Sequence, residues 1–322
     1  EARKGAPWQK WPENERDRTD LEALKARYAA AMEGYRRDQY WFWSQWEQLK
    51  DYANSQGVRI VGDLPLGVAA DSADVWAHRE LFRLDSRGWP SRTAGVPPDY
   101  YCPDGQNWGS PVYDWDAVKG SGYRWWIDRL GHAMKAFDYV RLDHFRGFSE
   151  YYSIPAGKSG KWGGWRPGPG LALFDAAREE LGPLPILAED LGLLDAGVYR
   201  LLAQTGFPGM DVYQFEGAAL LSMDQGRSAG RVFYASTHDS QTLAGWCAQR
   251  GEDPDRVIRE LYASPAGWTM FQLQDLLGLG DEARFNTPGT VEARNWSWQA
   301  MPDQLTDQVA ERFRRLAEEN GR

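Results

Sequence analysis

Six short apolar runs, separated by helical patterns along 322 residues, most constrain what this chain can fold into. Five end near Val61, Tyr139, Ala188, Gln214 and Ser236, and the last lies within Thr269 to Thr290. Strands that alternate with helices form a parallel sheet. Four of the runs end in acids: Asp63, Asp143, Glu189 and Asp239. In a β/α barrel the carboxyl ends of the strands converge on one face, where the site lies. The competing architecture, an open doubly wound sheet, carries a Gly-rich phosphate loop after a strand, and none of these runs is followed by one. The expected fold class is α/β, a (β/α)8 TIM-type barrel with long inserted loops. Six strands fall two short of closure.

Along the chain, Thr19 with Glu22 reads as a capping box for a helix from Leu21 to about Met32. A second helix is expected over Asp38 to Ala53, with Trp46, Leu49, Tyr52 and Ala53 on one face. Val58 to Val61 then reads as a strand closing in Gly62-Asp63. Residues 64–136 are too long for a simple connection and read as a lid or subdomain inserted into one partial catalytic barrel domain spanning 1–322. Within them, Tyr123 to Ala136 is amphipathic. Further strands are expected at Phe137 to Asp143, Leu184 to Ala188, Gly209 to Phe215, Arg231 to Ser236 and Thr269 to Leu273. Helices are expected near Leu171 to Leu181, Val198 to Gln204, Asp255 to Tyr262 and Asp303 to Glu319. Lys161-Trp162-Gly163-Gly164-Trp165 reads as a loop.

Arg141 and Asp143 alternate along a strand end, so their side chains lie on one side. A cation beside a carboxylate keeps it ionised, which suits a nucleophile. Glycoside chemistry needs a second carboxyl that carries a proton. Glu189 fits that role, because Leu184 to Ala188 would place it against apolar walls that favour the protonated form. Asp239 with His238 could hydrogen-bond sugar hydroxyls. Each acid alone reads as a strand-end ion pair or a helix cap more readily than as a catalyst, and three on neighbouring strand ends are a stronger signal of catalysis. The aromatic content, 17 Trp, 15 Tyr and 12 Phe, lies partly in Gly- and Pro-rich loops, where flat faces suit sugar rings. Part of it must also fill the core.

Other chemistries fit less well. A net charge of −9 argues against nucleic acid or an acidic membrane as partner. The four His have no metal-ligand spacing, so no metal and no cofactor are expected. No Gly-x-Ser-x-Gly elbow is present. Cys102 and Cys247 show no paired spacing, which fits a reducing, cytoplasmic compartment.

Several stretches resemble the 4-α-glucanotransferase family (amylomaltase, or disproportionating enzyme) of the α-amylase superfamily. They are Gly62-Asp63-Leu64-Pro65, Asp71 to Trp76, Ala94 to Tyr100, Gly105-Gln106 with Trp108-Gly109, and Arg141 to Phe148. Ala188 to Gly192, His238-Asp239, Asn286 to Thr290 and Asn295 to Trp298 match as well. The resemblance implies Asp143 as nucleophile, Glu189 as acid/base and Asp239 as a transition-state-stabilising acid. It implies substrate binding by Asp63, Tyr100, Tyr101, Gln106, Trp108, Arg141 and His238, with Tyr100, Tyr101 and Gln106 on a lid loop. The implied activity is a retaining transfer from an α-1,4-glucan donor to the 4-hydroxyl of glucose or a maltooligosaccharide. An α-glucan hydrolase with the same acids, or a glucan-binding fragment inactive without an N-terminal segment, stays open. Tyr101-Cys102 and Ser240-Gln241 depart from the family pattern. The family's N-terminal segment, with its first two strands, is expected as a missing partner of this chain.

Overall fold

The computed structural model describes residues 5–99 and 102–322. The chain divides into two compact units, Glu1–Glu189 with Leu194–Thr205, and Asp190–Leu193 with Gly206–Arg322.

The first unit opens with two helical turns, Trp8–Lys10 and Glu13–Arg16, followed by helix Leu21–Arg27. Its cap is Asp20, whose carboxylate accepts the Ala23 N–H at 2.9 Å, and not the expected Thr19 box. Thr19 instead donates to the Asn14 carbonyl, and Glu22 pairs with Lys25. After a break at Tyr28, a helix runs over Ala29–Ser55, longer than expected at both ends. Its contact stripe is Trp43, Trp46, Lys50 and Asn54, at spacings of three and four. Trp46 Nε1 donates to the Ala136 carbonyl at 2.8 Å, and its ring meets Phe137 edge-on at 5.7 Å. Lys50 reaches the Lys135 carbonyl, and Asn54 reaches Asp138. Leu49 and Tyr52, expected on that face, are exposed.

Strand β1 is Val61–Leu64, three residues later than expected. The shift follows from pairing: Ile60 takes its partners from Asp138 and Tyr139, so the ladder with the next parallel strand starts after it. Gly62 is required there. A β-carbon would fall 2.0 Å from the Phe137 ring. Strands β2 (Arg92–Val96) and β3 (Gln106–Pro111) come from the long 64–136 stretch. β4 is Tyr139–Leu142, β5 Glu150–Pro155, β6 Gly164–Pro167 and β7 Ile186–Ala188. Thus the expected loop at 161–165 becomes a strand in its second half. β1-β4-β7 is a parallel sheet, and β3-β2-β5-β6 is a second, antiparallel one.

Helix Arg124–Ala136 buries Trp126, Ile127, Leu130 and Ala133, and helix Leu171–Leu181 buries Leu173, Phe174 and Ala177. Phe148 lies 5.2 Å from Trp126 and 5.3 Å from Phe174 between ring centroids, and joins the two helices. Each such buried side chain contributes about 1.5–3 kcal/mol. Helix Ala196–Thr205 completes this unit.

The second unit holds β8 (Gly209–Val212), β9 (Arg231–Tyr234) and β10 (Trp268–Met270), parallel in the order β10-β9-β8. β8 stops short of the expected Phe215 because Tyr213 turns inward and opens the short helix Tyr213–Glu216. β10 stops at Met270, and Leu273 opens helix Leu273–Leu276 instead of ending a strand. Arg231 ties the sheet's start by binding Asp190 at 3.0 Å and also Asp211. Phe233, Ala235, Leu243, Cys247, Val257, Ile258 and Leu261 form the core. They come from β9 and the residue after it, with helices Leu243–Ala248 and Pro254–Tyr262. The last helix, Asp307–Glu319, starts at the Thr306 cap, later than expected. Six parallel strands are therefore present among the described residues, one for each apolar run. No helix among them is long and apolar enough to cross a membrane.

Candidate active site

In the first unit, β1 and β4 pair in a register that puts Asp63 directly across from Arg141. Arg141 Nη1 donates to both Asp63 oxygens, at 2.7 and 2.8 Å, and lies 3.1 Å from Asp143 Oδ1. The guanidinium is mostly buried, while both acids stay partly exposed. Burial works against its charge, yet the carboxylates of Asp63, Asp143 and Glu189 outweigh that and push its pKa above the ordinary value.

Glu189 follows β7 and is joined to the end of β4. Its backbone N–H donates to the Leu142 carbonyl at 3.0 Å, and its carbonyl accepts from Phe145 N–H at 2.9 Å. Its side-chain Oε2 accepts the His144 N–H at 2.8 Å. The parallel ladder therefore continues one step beyond both strands, and the last rung is a side chain. The structure places Asp63, Asp143 and Glu189 around Arg141. Asp63 sits inside its strand, engaged with Arg141.

His144 was passed over in the sequence except for its lack of metal spacing. Its backbone has φ +49°, in the left-handed region. Such strain persists only where the surroundings enforce it. Its imidazole is pushed down to about 4 by burial, with Asp143 opposing and Arg146 reinforcing that shift. Trp108 stands perpendicular to the His144 ring at 4.9 Å, and its Nε1 donates to Gln106 Oε1 at 3.1 Å. Trp108 and Gln106 are thus brought to the acid-bearing segment by β3. Tyr100 and Tyr101 lie outside the described residues. Cys102, a departure from the family pattern, donates its N–H to Asp99 and its thiol to the Gly105 carbonyl at 3.2 Å.

Arg146 was also missed. Its guanidinium stacks 3.8 Å from the Trp165 ring centroid and binds Asp195 at 2.9 Å. Asp195 in turn accepts N–H groups from Gly197 and Val198, at the start of helix Ala196–Thr205. The Asp143 segment is thereby pinned to that helix. Trp165 is used by the protein itself, while Trp162 is exposed.

In the second unit, Asp239 sits in a turn well past the end of β9, not at the strand end as expected. The cause is local. Ser240 Oγ accepts the Thr237 N–H at 2.9 Å, and Ser240 N–H donates back to the Thr237 carbonyl at 3.0 Å, closing a tight turn. Gln241 Nε2 donates to Asp281 at 2.6 Å. The Ser240-Gln241 departure is therefore a pair that holds the turn. Asn286 Nδ2 donates to Asp239 Oδ1 at 2.6 Å, and Arg284 donates to the Asp239 carbonyl at 3.0 Å. His238 Nε2 lies 3.4 Å from Asp239 Oδ2, and its ring packs 5.4 Å from Trp296. The Asn286-Thr287-Pro288 stretch, matched by motif alone, is thus a partner of Asp239.

Comparison with known proteins gives the family. A family model described as 4-alpha-glucanotransferase, glycoside hydrolase family 77, matches residues 1–304. The 4-alpha-glucanotransferase of Streptococcus pneumoniae is 41% identical over 332 aligned positions, covering 94% of this chain and 65% of the relative. That of Thermus thermophilus is 39% identical, covering 98% and 69%. The chain thus spans about two thirds of the length of these relatives. A solved amylomaltase from Streptococcus agalactiae, in complex with acarbose, has TM-score 0.92 at 36% identity. It covers 99% of this chain and 69% of its own. An amylomaltase from Corynebacterium glutamicum, at TM-score 0.71 and 19% identity over 86% of this chain and 48% of its own, shares the fold. The fold class is the expected partial (β/α)8-type barrel with long inserted loops, and the chain belongs to glycoside hydrolase family 77, the 4-alpha-glucanotransferases.

Proposed function

We propose that this protein is a retaining α-1,4-glucanotransferase in which Asp143 is the nucleophile, Glu189 the acid/base and Asp239 a transition-state-stabilising acid. The observation that carries the reading is Arg141 bound between Asp63 and Asp143, with Glu189 at the end of the adjoining strand. The Arg141 guanidinium, 3.1 Å away, fixes the position of the Asp143 carboxyl group that is assigned the attack.

In the first half-reaction an Asp143 oxygen bonds to the anomeric carbon of the donor. The glycosidic bond breaks, and Glu189 gives its proton to the leaving oxygen. In the second half, the Glu189 carboxylate takes the proton from the acceptor 4-hydroxyl. That oxygen bonds to the anomeric carbon, and the ester to Asp143 breaks. Asp239, fixed by Asn286 and Arg284, offsets positive charge on the ring between these states. His238, Asp63, Gln106 and Trp108 are assigned to the glucan. Tyr100 and Tyr101 are assigned to it from sequence, on a lid formed by part of 64–136. Trp108 is exposed and anchored by Gln106, so it offers a fixed flat face to a sugar ring. Excluding water while holding the acceptor is what separates transfer from hydrolysis.

The test is incubation of the intact protein with maltotriose. Transfer yields glucose together with a ladder of longer maltooligosaccharides while total reducing ends stay constant. Reducing ends that rise in step with substrate loss would replace this reading with that of a hydrolase.

A further inference from the structure

Asp275 is among the most deeply buried carboxyls of the second unit, 2% exposed, and none of the roles above uses it. It lies in helix Leu273–Leu276. Among the described residues no cation pairs with it. Burying a carboxylate is costly unless both oxygens are bonded. Here both are, by neutral donors far away in sequence. Oδ2 accepts the Ser236 hydroxyl, and Oδ1 accepts the Leu243 N–H at 2.7 Å. Ser236 immediately precedes Thr237-His238-Asp239, and Leu243 is the first residue of the helix that follows the turn.

We propose that Asp275 is a positioning residue for Asp239: its carboxylate ties the entrance of the 237–242 turn to its exit, and so fixes the backbone from which Asp239 and His238 project. This rests on the glucanotransferase reading for its catalytic consequence, though not for the tie itself.

The surrounding bonds have the same direction. Gln272 Nε2 donates to the Ser236 oxygen, so the Ser236 proton is left to be given to Asp275. An amide at 275 would aim an N–H at an oxygen that already accepts one. Asp281 adds a second hold from the same stretch, accepting the Gln241 side chain at 2.6 Å and the Thr242 N–H at 3.2 Å. On the far side of the turn, Asn286 N–H donates to the His238 carbonyl at 3.0 Å. The titratable neighbour is Cys247, buried on helix Leu243–Ala248 with its thiol pushed up to about 11, first by burial and in smaller part by nearby acids that include Asp275. Asp275 itself is pushed up to about 6 by burial, against the bonds from Leu243 and Ser236. At neutral pH it is therefore the acceptor-only carboxylate that the donors require.

The experiment compares the intact protein with Asp275→Asn and Ser236→Ala. Amide hydrogen exchange across 237–243 reads the tie directly, and steady-state transfer on maltotriose reads its consequence. The expected result is exchange at least about tenfold faster in that segment. With it, kcat falls about 10- to 100-fold while KM moves less than about threefold. If Asp275→Asn does not fold, Ser236→Ala, which keeps the acid, carries the same comparison. Unchanged exchange and unchanged kcat in a folded variant overturn the proposal. An unsubstituted protein without transfer activity overturns the glucanotransferase reading, and the exchange comparison still decides the tie.

Discussion

Asp63 and Arg141 face each other across two parallel strands, and both Asp63 oxygens accept from one guanidinium nitrogen. Arg141 is thereby held where it also meets Asp143 at 3.1 Å. On the proposed role of Asp143 as nucleophile, a point charge beside it is useful only if it cannot swing away, and Asp63 supplies that restraint. Replacing Asp63 by Asn keeps the shape and removes the charge. The expected outcome is a fall in kcat/KM for maltotriose disproportionation of about 10- to 100-fold with little change in melting temperature. Steady-state glucose release measures it, and a change under about twofold would remove Asp63 from the site.

Asp143 is expected to be the residue that bonds to sugar. A slow fluorinated donor, followed by mass spectrometry of peptides, should label Asp143 and no other acid. Asp143→Asn should take no label while still binding glucan. A label on Glu189 would reverse the two roles.

Trp108 contributes to the burial of the His144 ring at 4.9 Å, and burial holds that imidazole neutral down to about pH 4. Trp108→Ala opens one face to water. The His144 pKa should then rise toward its ordinary value of about 6.5. Titration of the His144 ring signal by NMR checks this. A pKa that stays at the native value would assign the burial wholly to the other neighbours. Because the native His144 resists its proton, its share of stability is present above about pH 6.5 and is lost as pH falls toward 4.

Asp275 has the opposite sign. Its native pKa, about 6, lies above the ordinary 3.8, so the folded state holds a proton that the unfolded chain has released. Its contribution is full below about pH 4 and is lost as pH rises to about 6, by roughly 3 kcal/mol. Urea unfolding at several pH values should show the native protein losing stability relative to Asp275→Asn across that interval, with a constant difference above it. A difference that is flat from pH 4 to 7 would mean that Asp275 titrates normally.

Much of the candidate site and of the strand order was legible because their signals are local. An apolar run of four to seven residues bounded by charge marks a strand wherever it falls. All six runs lie in or beside parallel strands. Arg141 and Asp143 share a side because alternate strand residues do, whatever the rest of the chain does. The motifs around Asp143, Glu189, Asp239 and Asn286 identified the family before any geometry. Other features depend on residues distant in sequence. Asp63 meets Arg141 through a strand register set 78 residues apart. His144 is buried by the packing around it, not by its own type. Asn286 reaches Asp239 across 47 positions, and Asp275 reaches Ser236 across 39. Even the cap of helix Leu21–Arg27 was settled by which of two adjacent side chains, Thr19 or Asp20, could reach the Ala23 N–H. Sequence by itself determined where the six parallel strands fall and that Asp143 and Glu189 directly follow two of them, because propensity and alternation act within a few residues. Tertiary structure alone decided which partner each acid has, because hydrogen bonds and burial at these sites are made by residues brought together only by folding.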